Sequence, residues 1–311
     1  MEFLKRLKEF DRQRLRHYAG ISRMPFLLLP VALVAVGTGA SAWETGSVHL
    51  LRAFFALLGL LFLHIGVNAI NEASDAKRGI DSPRPATPFS GGSGTVPSGR
   101  LSVREAYRFG IAMTAAGGLI GIGFIFVVGW KMIPLILAAV VLVAGYTDLF
   151  ARIGLGEAAA GLGLGLLPVI GSALVQTGTV PGAAVAAGVI SFILTFELLL
   201  LNEFPDQEAD RKGGRKNLVL MLGPRRAARV WFWTALMLPV FILHFAAVGL
   251  LPWTSISVLF SLGLLWPAFE WIETPGDRFP SPTYGLLKAN VAWNLAAHFL
   301  LAASFFAAML L

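Results

Sequence analysis

Two polar segments of the sequence contain residues whose types and spacing suit metal-assisted chemistry. In the first segment Asn71 precedes Asp75 by four residues. In the second, Asn202 precedes Asp206 by the same interval, and Asp210 follows one further turn on. Residues four apart lie on one face of a helix, so each pair would stack an amide and a carboxylate. Mg²⁺ prefers such oxygens and usually shares its coordination with substrate phosphates. We therefore predict that the two segments face each other and hold two Mg²⁺ ions across a diphosphate.

Each segment also carries further acidic and basic side chains. Asp81 follows Gly79, and a turn at this glycine would swing the carboxylate back toward the first pair. Seven of the chain's 18 carboxylates lie in the two segments: Glu72, Asp75, Asp81, Glu203, Asp206, Glu208 and Asp210. The cations expected to neutralise the diphosphate are Lys77, Arg78, Arg84, Arg211, Lys212, Arg215 and Lys216. The Ser-Gly-Gly-Ser-Gly run at 90–94 offers backbone N–H groups to anionic oxygens.

A simpler interpretation is that these are ordinary solvated loops of mixed charge. That interpretation suffices for either segment alone. It does not explain why both repeat the Asn-x-x-x-Asp spacing at the end of an apolar run, or why seven of the 18 carboxylates concentrate in these two short stretches.

The composition shows which elements must position these residues. Hydrophobic residues make up 56% of the 311, charged residues only 14%, and the mean hydropathy is +0.72. A soluble domain carries roughly 25% charged residues, so this chain is too apolar to be soluble, and disorder is excluded for the same reason. The absence of cysteine excludes disulfides, thiolate metal sites and a cysteine nucleophile.

The apolar stretches predict an all-α polytopic membrane protein that forms one integral-membrane domain over 1–311. Residues 1–23 are basic and polar, lack the features of a cleavable signal, and predict a short amphipathic segment at the membrane surface. The runs are too long for the strands of a barrel. With about 20 residues per crossing, nine transmembrane helices around a central cavity are predicted at 24–43, 50–71, 107–129, 132–150, 157–176, 182–203, 229–249, 252–272 and 287–310.

The basic residues predict the orientation of these spans. With nine crossings, all of the 25 Lys and Arg residues except Arg52 and Lys131 fall on one side. The positive-inside rule makes that side cytoplasmic. The N-terminus and both Asp-rich segments, which would form cap loops, are therefore expected on the cytoplasmic face of the cell inner membrane. The membrane topology explains the excess of Lys and Arg over Asp and Glu, so no nucleic acid partner is predicted.

The two segments resemble the signature of the UbiA-type membrane prenyltransferase superfamily. The first reads Asn71-x3-Asp75-x3-Gly79-x-Asp81, which is similar to the subgroup that prenylates dihydroxynaphthoate for menaquinone. The second reads Asn202-x3-Asp206-x3-Asp210 and is followed by 214–218, Gly-Arg-Lys-Asn-Leu. Segments 23–26, 145–147 and 154–157 also resemble that subgroup. Many members carry Asp directly after the first Asn, where this chain has Glu72.

The resemblance implies Mg²⁺-dependent transfer of a polyprenyl group from its diphosphate to an aromatic acceptor, which loses its carboxylate as CO₂ in the dihydroxynaphthoate case. Carried over by position, Asn71, Asp75, Asn202 and Asp206 would hold the ions, with Asp81 and Asp210 in support. Asp75 and Asp206 would then be essential for catalysis. Tyr146, which pattern alone marks as an interfacial anchor, would contact the diphosphate or the acceptor. The expected partners are polyprenyl diphosphate, the aromatic acceptor and the lipid bilayer, with no protein partner predicted.

Other polar residues receive supporting roles. We expect Asn68 to support Asn71, and His64 to pack with a hydrogen bond. A carboxylate inside a span is costly and usually functional, so Glu197 is expected to line the cavity. Asp148 suits either a turn cap or a place near the acceptor. The polar stripe on the last span predicts hydrogen bonds between helices; its members are Asn290, Asn294 and His298.

Two other classes compete with the enzyme. A transporter would place charges at mid-membrane beside broken helices, whereas here the polar groups cluster at one membrane face. A purely structural membrane subunit leaves both Asn/Asp motifs unexplained. Among enzymes of this kind the acceptor stays open between dihydroxynaphthoate, hydroxybenzoate, homogentisate, haem, chlorophyllide and a purine-derived menaquinone precursor.

Overall fold

The computed structural model describes residues 13–80, 91–274 and 279–311, and nearly all of them are helical. The described helices, numbered in chain order, are α1 (Leu28–Thr45), α2 (Leu50–Arg78), α3 (Val103–Val128), α4 (Met132–Gly145), α5 (Gly156–Gly161), α6 (Leu167–Thr177), α7 (Gly182–Asn202), α8 (Gln207–Lys212), α9 (Leu218–Leu222), α10 (Pro224–Ala247), α11 (Trp266–Ile272) and α12 (Tyr284–Ala308). They are joined by a three-residue helix at Ala151–Ile153, two π-helical segments, Tyr146–Phe150 and Leu162–Leu166, and 3-10 segments at Met24–Leu27, Gly129–Lys131 and Trp253–Leu265.

Eight stretches of the described residues are long and apolar enough to cross a membrane. Seven coincide with one predicted span each. The eighth, Val103–Ile153, covers 51 residues and contains the third and fourth predicted spans. A straight helix of that length would measure about 75 Å, more than twice the hydrocarbon thickness of about 30 Å. Instead, Gly129 has non-helical backbone between α3 and α4 (φ 77°), and Gly121 of α3 lies against Ile136 of α4. The two helices therefore fold back on each other.

The core lies between α1, α7, α10 and α12. Each contributes leucines that are fully removed from solvent, including Leu33, Leu194, Leu238 and Leu301. By contrast, α3 and α4 expose large apolar side chains, and Phe126 is 88% exposed. The exposed apolar surface of α3 and α4 matches a position against lipid, where such side chains need no protein cover.

Helices α2 and α3 approach closely because glycines face each other. A Cβ on Gly66 would lie 2.9 Å from the carbonyl oxygen of Gly110, and a Cβ on Gly110 would lie 3.0 Å from that of Gly66. Small residues at a crossing let two backbones approach in this way. This contact aligns the helix of the first motif with α3.

The two cations that depart from the charge asymmetry have a structural role. Arg52 donates to the carbonyl oxygens of Val175 (3.2 Å) and Gln176 (2.9 Å), and Lys131 donates to that of Gly178 (3.0 Å). Val175 and Gln176 belong to the last turn of α6, and Gly178 caps it. Carbonyls at this end of a helix have no partner within the helix and lie at the negative end of its dipole.

The stripe on the last span makes the hydrogen bonds predicted between helices. Asn294 donates to the carbonyl of Leu194 (2.7 Å) and Asn290 to that of Glu197 (3.5 Å), both on α7. His298 bonds within α12, to the carbonyl of Asn294 (2.8 Å). The Glu197 side chain is fully buried but is not among the residues that line the cavity, so the expectation that it lines the cavity is wrong.

Candidate active site

A cavity of about 410 Å³ runs through the bundle, and its Asp, Glu, Lys and Arg side chains cluster at one end, called the polar end. The polar end holds both predicted motifs, with Asn71, Asp75 and Asp206 among its lining residues. From there the cavity follows α2 as far as Phe55, about 24 Å along the helix. Side chains of α3, α4 and α6, most of them apolar, complete the remaining wall.

The first motif sits on the last turns of α2, as its spacing predicts. Asn71 Nδ2 donates to Asp75 Oδ2 at 3.3 Å, so the two side chains stack on one face. The helix continues to Arg78, where Gly79 takes the left-handed conformation (φ 67°). Asn68, one turn earlier, reaches the carbonyl of Ser22 at 3.5 Å. His64 lines the cavity, and its Nδ1 has no hydrogen-bond partner among the described residues, so the hydrogen bond expected there is missing at that atom.

A π-helical turn at Tyr146–Phe150 brings three polar side chains to the first motif. Tyr146 lines the cavity. Thr147 Oγ1 donates to Asn71 Oδ1 at 3.2 Å. Asp148 pairs with Arg78 at 2.6 Å and accepts a hydrogen bond from Ser74 at 3.2 Å, so its role here is an ion pair. A π turn inserts a residue into the helix and re-aims its side chains, and such turns are frequent at functional sites.

The second motif departs from the helical stack that its spacing predicts. Helix α7 ends at Asn202, and Asp206 precedes α8 with a non-helical backbone (φ −92°, ψ 0°). The interruption follows from Pro205, which lacks a backbone N–H and disfavours the helical conformation of the residue before it. A tight turn, with Asp206 N bonded to the carbonyl of Glu203 at 3.2 Å, nevertheless keeps both motif residues on the cavity.

Arg215 brings the two motifs together. Its Nη2 donates to Asn71 Oδ1 at 3.0 Å and to both carboxylate oxygens of Asp75 at 2.5 Å. Its Nη1 reaches Asp210 Oδ1 at 3.5 Å, while Asn217 holds the other oxygen of Asp210 at 2.9 Å. Burial alone would lower the pKa of Arg215, but the charges of Asp75 and Asp210 outweigh it and raise this pKa above its usual value. Burial raises the pKa of Asp210 to about 7, against the opposing charge of Arg215.

A main-chain contact connects the loop after α2 to the second motif. Gly91 N donates to Asp206 Oδ2 at 2.9 Å, and the Gly91 carbonyl accepts from Arg23 Nη2 at 3.2 Å. Burial lowers the pKa of Arg23, while the nearby charges of Glu72 and Asp206 oppose that effect. Arg23 lines the polar end of the cavity.

Sequence reasoning had not assigned a role to Arg23 and Glu203. Arg23 directly precedes the first span and has a left-handed backbone (φ 51°), which is uncommon outside glycine. The one feature of the sequence that pointed to Arg23 was the resemblance of segment 23–26 to the subgroup that prenylates dihydroxynaphthoate. Glu203 also lines the cavity, and its position next to Asn202 was the available signal.

The predicted diphosphate-binding cations separate into two groups. Arg215 and Lys216 line the cavity. Lys77, Arg78 and Lys212 belong to the second group and do not line the cavity. Lys77 is exposed. Arg78 forms an ion pair with Asp148, and Lys212 forms one with Glu208 at 3.1 Å. Two predicted residues, Asp81 and Arg84, lie outside the described residues.

The donor set at the polar end suits a hard divalent cation. No group of three His, Cys, Asp or Glu residues with metal-site geometry occurs in the described ranges, so amide oxygens would have to contribute. The buried Asn202 Oδ1 lines this end and has no hydrogen-bond partner among the described residues. The Arg215 guanidinium already lies among oxygens of Asn71, Asp75 and Asp210, which shows that these oxygens accommodate positive charge.

The sequence matches the UbiA prenyltransferase family over residues 29–284. It is 29% identical to a 1,4-dihydroxy-2-naphthoate octaprenyltransferase of Escherichia coli over 65% of this chain and 67% of that one. It is 27% identical to a protein of the same description from Mycobacterium tuberculosis, over 74% of this chain and 77% of the relative.

Solved structures share the fold. A UbiA homologue from Archaeoglobus fulgidus bound to DMAPP and Mg²⁺ aligns with a TM-score of 0.65 and 18% identity, over 94% of this chain and 99% of that chain. The same homologue bound to GPP and Mg²⁺ aligns with a TM-score of 0.64 and 19% identity, over 95% of this chain and all of that one.

Proposed function

The chain belongs to the UbiA prenyltransferase family, and from this premise we propose that it transfers a polyprenyl group from polyprenyl diphosphate to 1,4-dihydroxy-2-naphthoate, as in menaquinone biosynthesis. It is a prenyltransferase with multiple apolar helices that suit a bilayer. The acceptor rests on relatives described as 1,4-dihydroxy-2-naphthoate octaprenyltransferases at 24–29% identity.

One observation carries the proposal: two Asn/Asp motifs far apart in sequence meet at the polar end of a cavity whose remaining wall is mostly apolar. A prenyl diphosphate has the same division, with a charged head and an apolar tail. The head would lie among the motifs, and the tail would follow α2 toward Phe55. An apolar wall also keeps water from an allylic carbon that becomes cation-like as the diphosphate departs.

We assign magnesium to the polar end, as two ions. Asn71, Asp75, Asn202 and Asp206 would hold them, with Asp210 and Asp81 in support. When bound, Mg²⁺ stabilises the charge that develops on the departing diphosphate. The described donor set fits this assignment, and the related Archaeoglobus fulgidus structures contain Mg²⁺.

The chain's own cations would complete the stabilisation of charge. Arg23, Arg215 and Lys216 line the polar end and are placed to donate to diphosphate oxygens. Charge-assisted hydrogen bonds of this kind are stronger than neutral ones. Tyr146 lines the same end and is placed to orient the diphosphate or the acceptor ring.

We propose a nine-crossing topology, which the charges and the folded-back pair α3 and α4 support. Counted separately, these two helices bring the crossings to nine and leave the N-terminus and the polar end on one side. The excess of Lys and Arg assigns that side to the cytoplasm. We propose that 1–311 forms one domain in the cell inner membrane, with its active site open to cytoplasmic substrates.

An acceptor panel tests the function. Purified protein in detergent or lipid would receive Mg²⁺, a labelled polyprenyl diphosphate and one acceptor at a time: dihydroxynaphthoate, hydroxybenzoate or homogentisate. We expect a prenylated naphthoate-derived product, with loss of CO₂, by mass spectrometry. Product from another acceptor alone would overturn the proposed acceptor. No product from any of them, in protein shown to be folded, would contradict prenyl transfer to small aromatic acceptors.

A further inference from the structure

Glu72 follows Asn71 on α2 but points away from the cavity. Its side chain is buried, with the residue only 2% exposed, and it is not among the cavity-lining residues. Successive helical residues differ in direction by about 100°, and here Asn71 lines the cavity while Glu72 does not. In this arrangement the Glu72 carboxylate instead meets groups of segment 91–96.

The Glu72 carboxylate binds the backbone of segment 91–96. Its Oε2 accepts from Ser93 N at 2.8 Å. Its Oε1 accepts from Ser93 Oγ at 2.8 Å, Thr95 N at 3.0 Å and Val96 N at 3.2 Å. Four hydrogen bonds to one buried carboxylate are charge-assisted and define the conformation of the whole segment.

The beginning of this segment touches the active site. Gly91 donates to Asp206 and accepts from Arg23, and both Gly91 and Gly92 line the cavity. Gly91 (φ 67°) and Gly94 (φ 71°) have left-handed backbone, which glycine adopts without strain. Segment 91–96 thus has one end on Glu72 and the other on the second motif.

We propose that Glu72 is a positioning residue for the prenyl transfer proposed above: it anchors segment 91–96 so that Gly91 holds Asp206 and Arg23 in place over the diphosphate. Glu72 acts through the segment and touches neither substrate nor metal. Without the anchor, Gly91 would leave its two partners, and water would gain access to the polar end of the cavity.

The test uses Glu72→Gln in the full-length protein. Glutamine preserves the volume but replaces one acceptor oxygen with an NH₂ group, which cannot accept from the N–H donors of segment 91–96. We expect amide hydrogen exchange in 93–96 to rise about tenfold, as for the loss of one hydrogen bond to a charged group. Glu105→Gln is the matched control. Glu105 is a partly exposed carboxylate that caps α3 through Ser102, a role glutamine also fulfils.

A second readout separates positioning from general destabilisation. If water reaches the allylic carbon, its oxygen takes the prenyl group in place of the acceptor ring, releasing a proton and diphosphate. The share of prenyl alcohol among the products should then rise in Glu72→Gln, together with the KM for prenyl diphosphate, while Glu105→Gln matches the wild type. A loss of stability alone would lower both products in parallel.

Unchanged exchange at 93–96, or an unchanged share of prenyl alcohol, would overturn the proposal. Should Glu72→Gln not fold, Ser93→Ala removes one of the four donors and is expected to shift both readouts in the same direction by less. Failure of the proposed function is distinguishable, because a wild-type protein that prenylates no acceptor would contradict prenyl transfer while exchange at 93–96 still reports on the anchor.

Discussion

Arg215 donates to both carboxylate oxygens of Asp75, a residue 140 positions earlier in the chain. The side chains are 20% and 14% exposed, so the pair is largely shielded from water. This pair joins the segment that follows α8 to the end of α2 and places a permanent positive charge among the predicted metal ligands. It makes Arg215 both a structural link between the motifs and a diphosphate-binding candidate.

Replacing Arg215 with alanine should destabilise the protein most when magnesium is absent. Asp75 would remain buried without its counter-charge, and breaking such a pair costs about 3–5 kcal/mol. Saturating Mg²⁺ should restore part of this loss, because it would supply the missing positive charge. Thermal and denaturant unfolding in detergent, with and without Mg²⁺, measure both effects.

Two further variants, one intermediate and one control, test the Arg215 prediction. Arg215→Lys keeps the charge without the planar fork and should fall between wild type and alanine. Lys212→Ala removes a cation whose side chain is 71% exposed, and should change stability by less than about 0.5 kcal/mol. Equal losses in Arg215→Ala and Lys212→Ala would contradict the buried pairing.

Asp75→Asn and Asp206→Asn should each lower prenyl transfer by about 10²–10³-fold, the range found when one group that stabilises transition-state charge is removed. Both replacements preserve the shape of the side chain, but Asp75→Asn also removes the charge paired with Arg215, so activity is compared per amount of folded, membrane-inserted protein. Transfer is measured as prenylated product at fixed Mg²⁺. Glu208→Gln, at a side chain 61% exposed, is the control and should retain activity. Full activity in both asparagine variants would eliminate the metal assignment.

Gly118→Leu should weaken binding of long prenyl diphosphates without unfolding the protein. A Cβ at Gly118 meets nothing within 4 Å, yet the residue lines the cavity, so a larger side chain would occupy space proposed for the tail. Gly123 on the same helix is equally open but does not line the cavity, which makes Gly123→Leu the matched control. We expect the KM for prenyl diphosphate to rise about tenfold in Gly118→Leu and to stay unchanged in Gly123→Leu. A tenfold rise corresponds to the loss of about one to two buried methylene groups of the tail. The same KM in both variants would argue against a tail in this cavity.

Thr195→Val should destabilise the protein by about 1–3 kcal/mol, the cost of a buried acceptor without a partner. Pro168 has no N–H to bond the carbonyl of Leu164 four residues earlier. Thr195 Oγ1 donates to that carbonyl at 2.7 Å instead.

Thr45→Val is the control. Thr45 donates to a carbonyl of its own helix at 2.9 Å and is exposed, so this replacement should leave the free energy of unfolding in denaturant nearly unchanged. A Thr195→Val protein as stable as Thr45→Val would show that another group compensates the Leu164 carbonyl.

Much of the site's local geometry could be read from the sequence. The four-residue spacing of Asn71 and Asp75 placed both on one helical face, and they are hydrogen bonded there. The same rule was wrong for Asn202 and Asp206, because Pro205 ends the helical hydrogen bonding between them. Spacing predicts a shared face only where the helix is continuous.

The long-range partners could not be read in this way. Seven cations flank the two motifs, and their order in the chain gives no reason to prefer Arg215 over Lys212. Whether a cation faces the cavity depends on how the segment after α8 packs against α2. The anchoring of segment 91–96 by Glu72 is of the same kind, since a carboxylate on the far side of α2 meets those backbone groups only after the loop folds back.

The sequence by itself determined the membrane-spanning helices, the asymmetry of charge between the two sides and the residue types of the site. Those properties depend on composition and short-range periodicity, which act within one helix or one loop. Only the tertiary structure decided that Arg215 bridges the motifs, that Glu72 anchors segment 91–96 and that Arg23 lies beside the second motif. Such contacts join residues tens to more than a hundred positions apart, and they arise from the packing of whole helices, which no local pattern encodes.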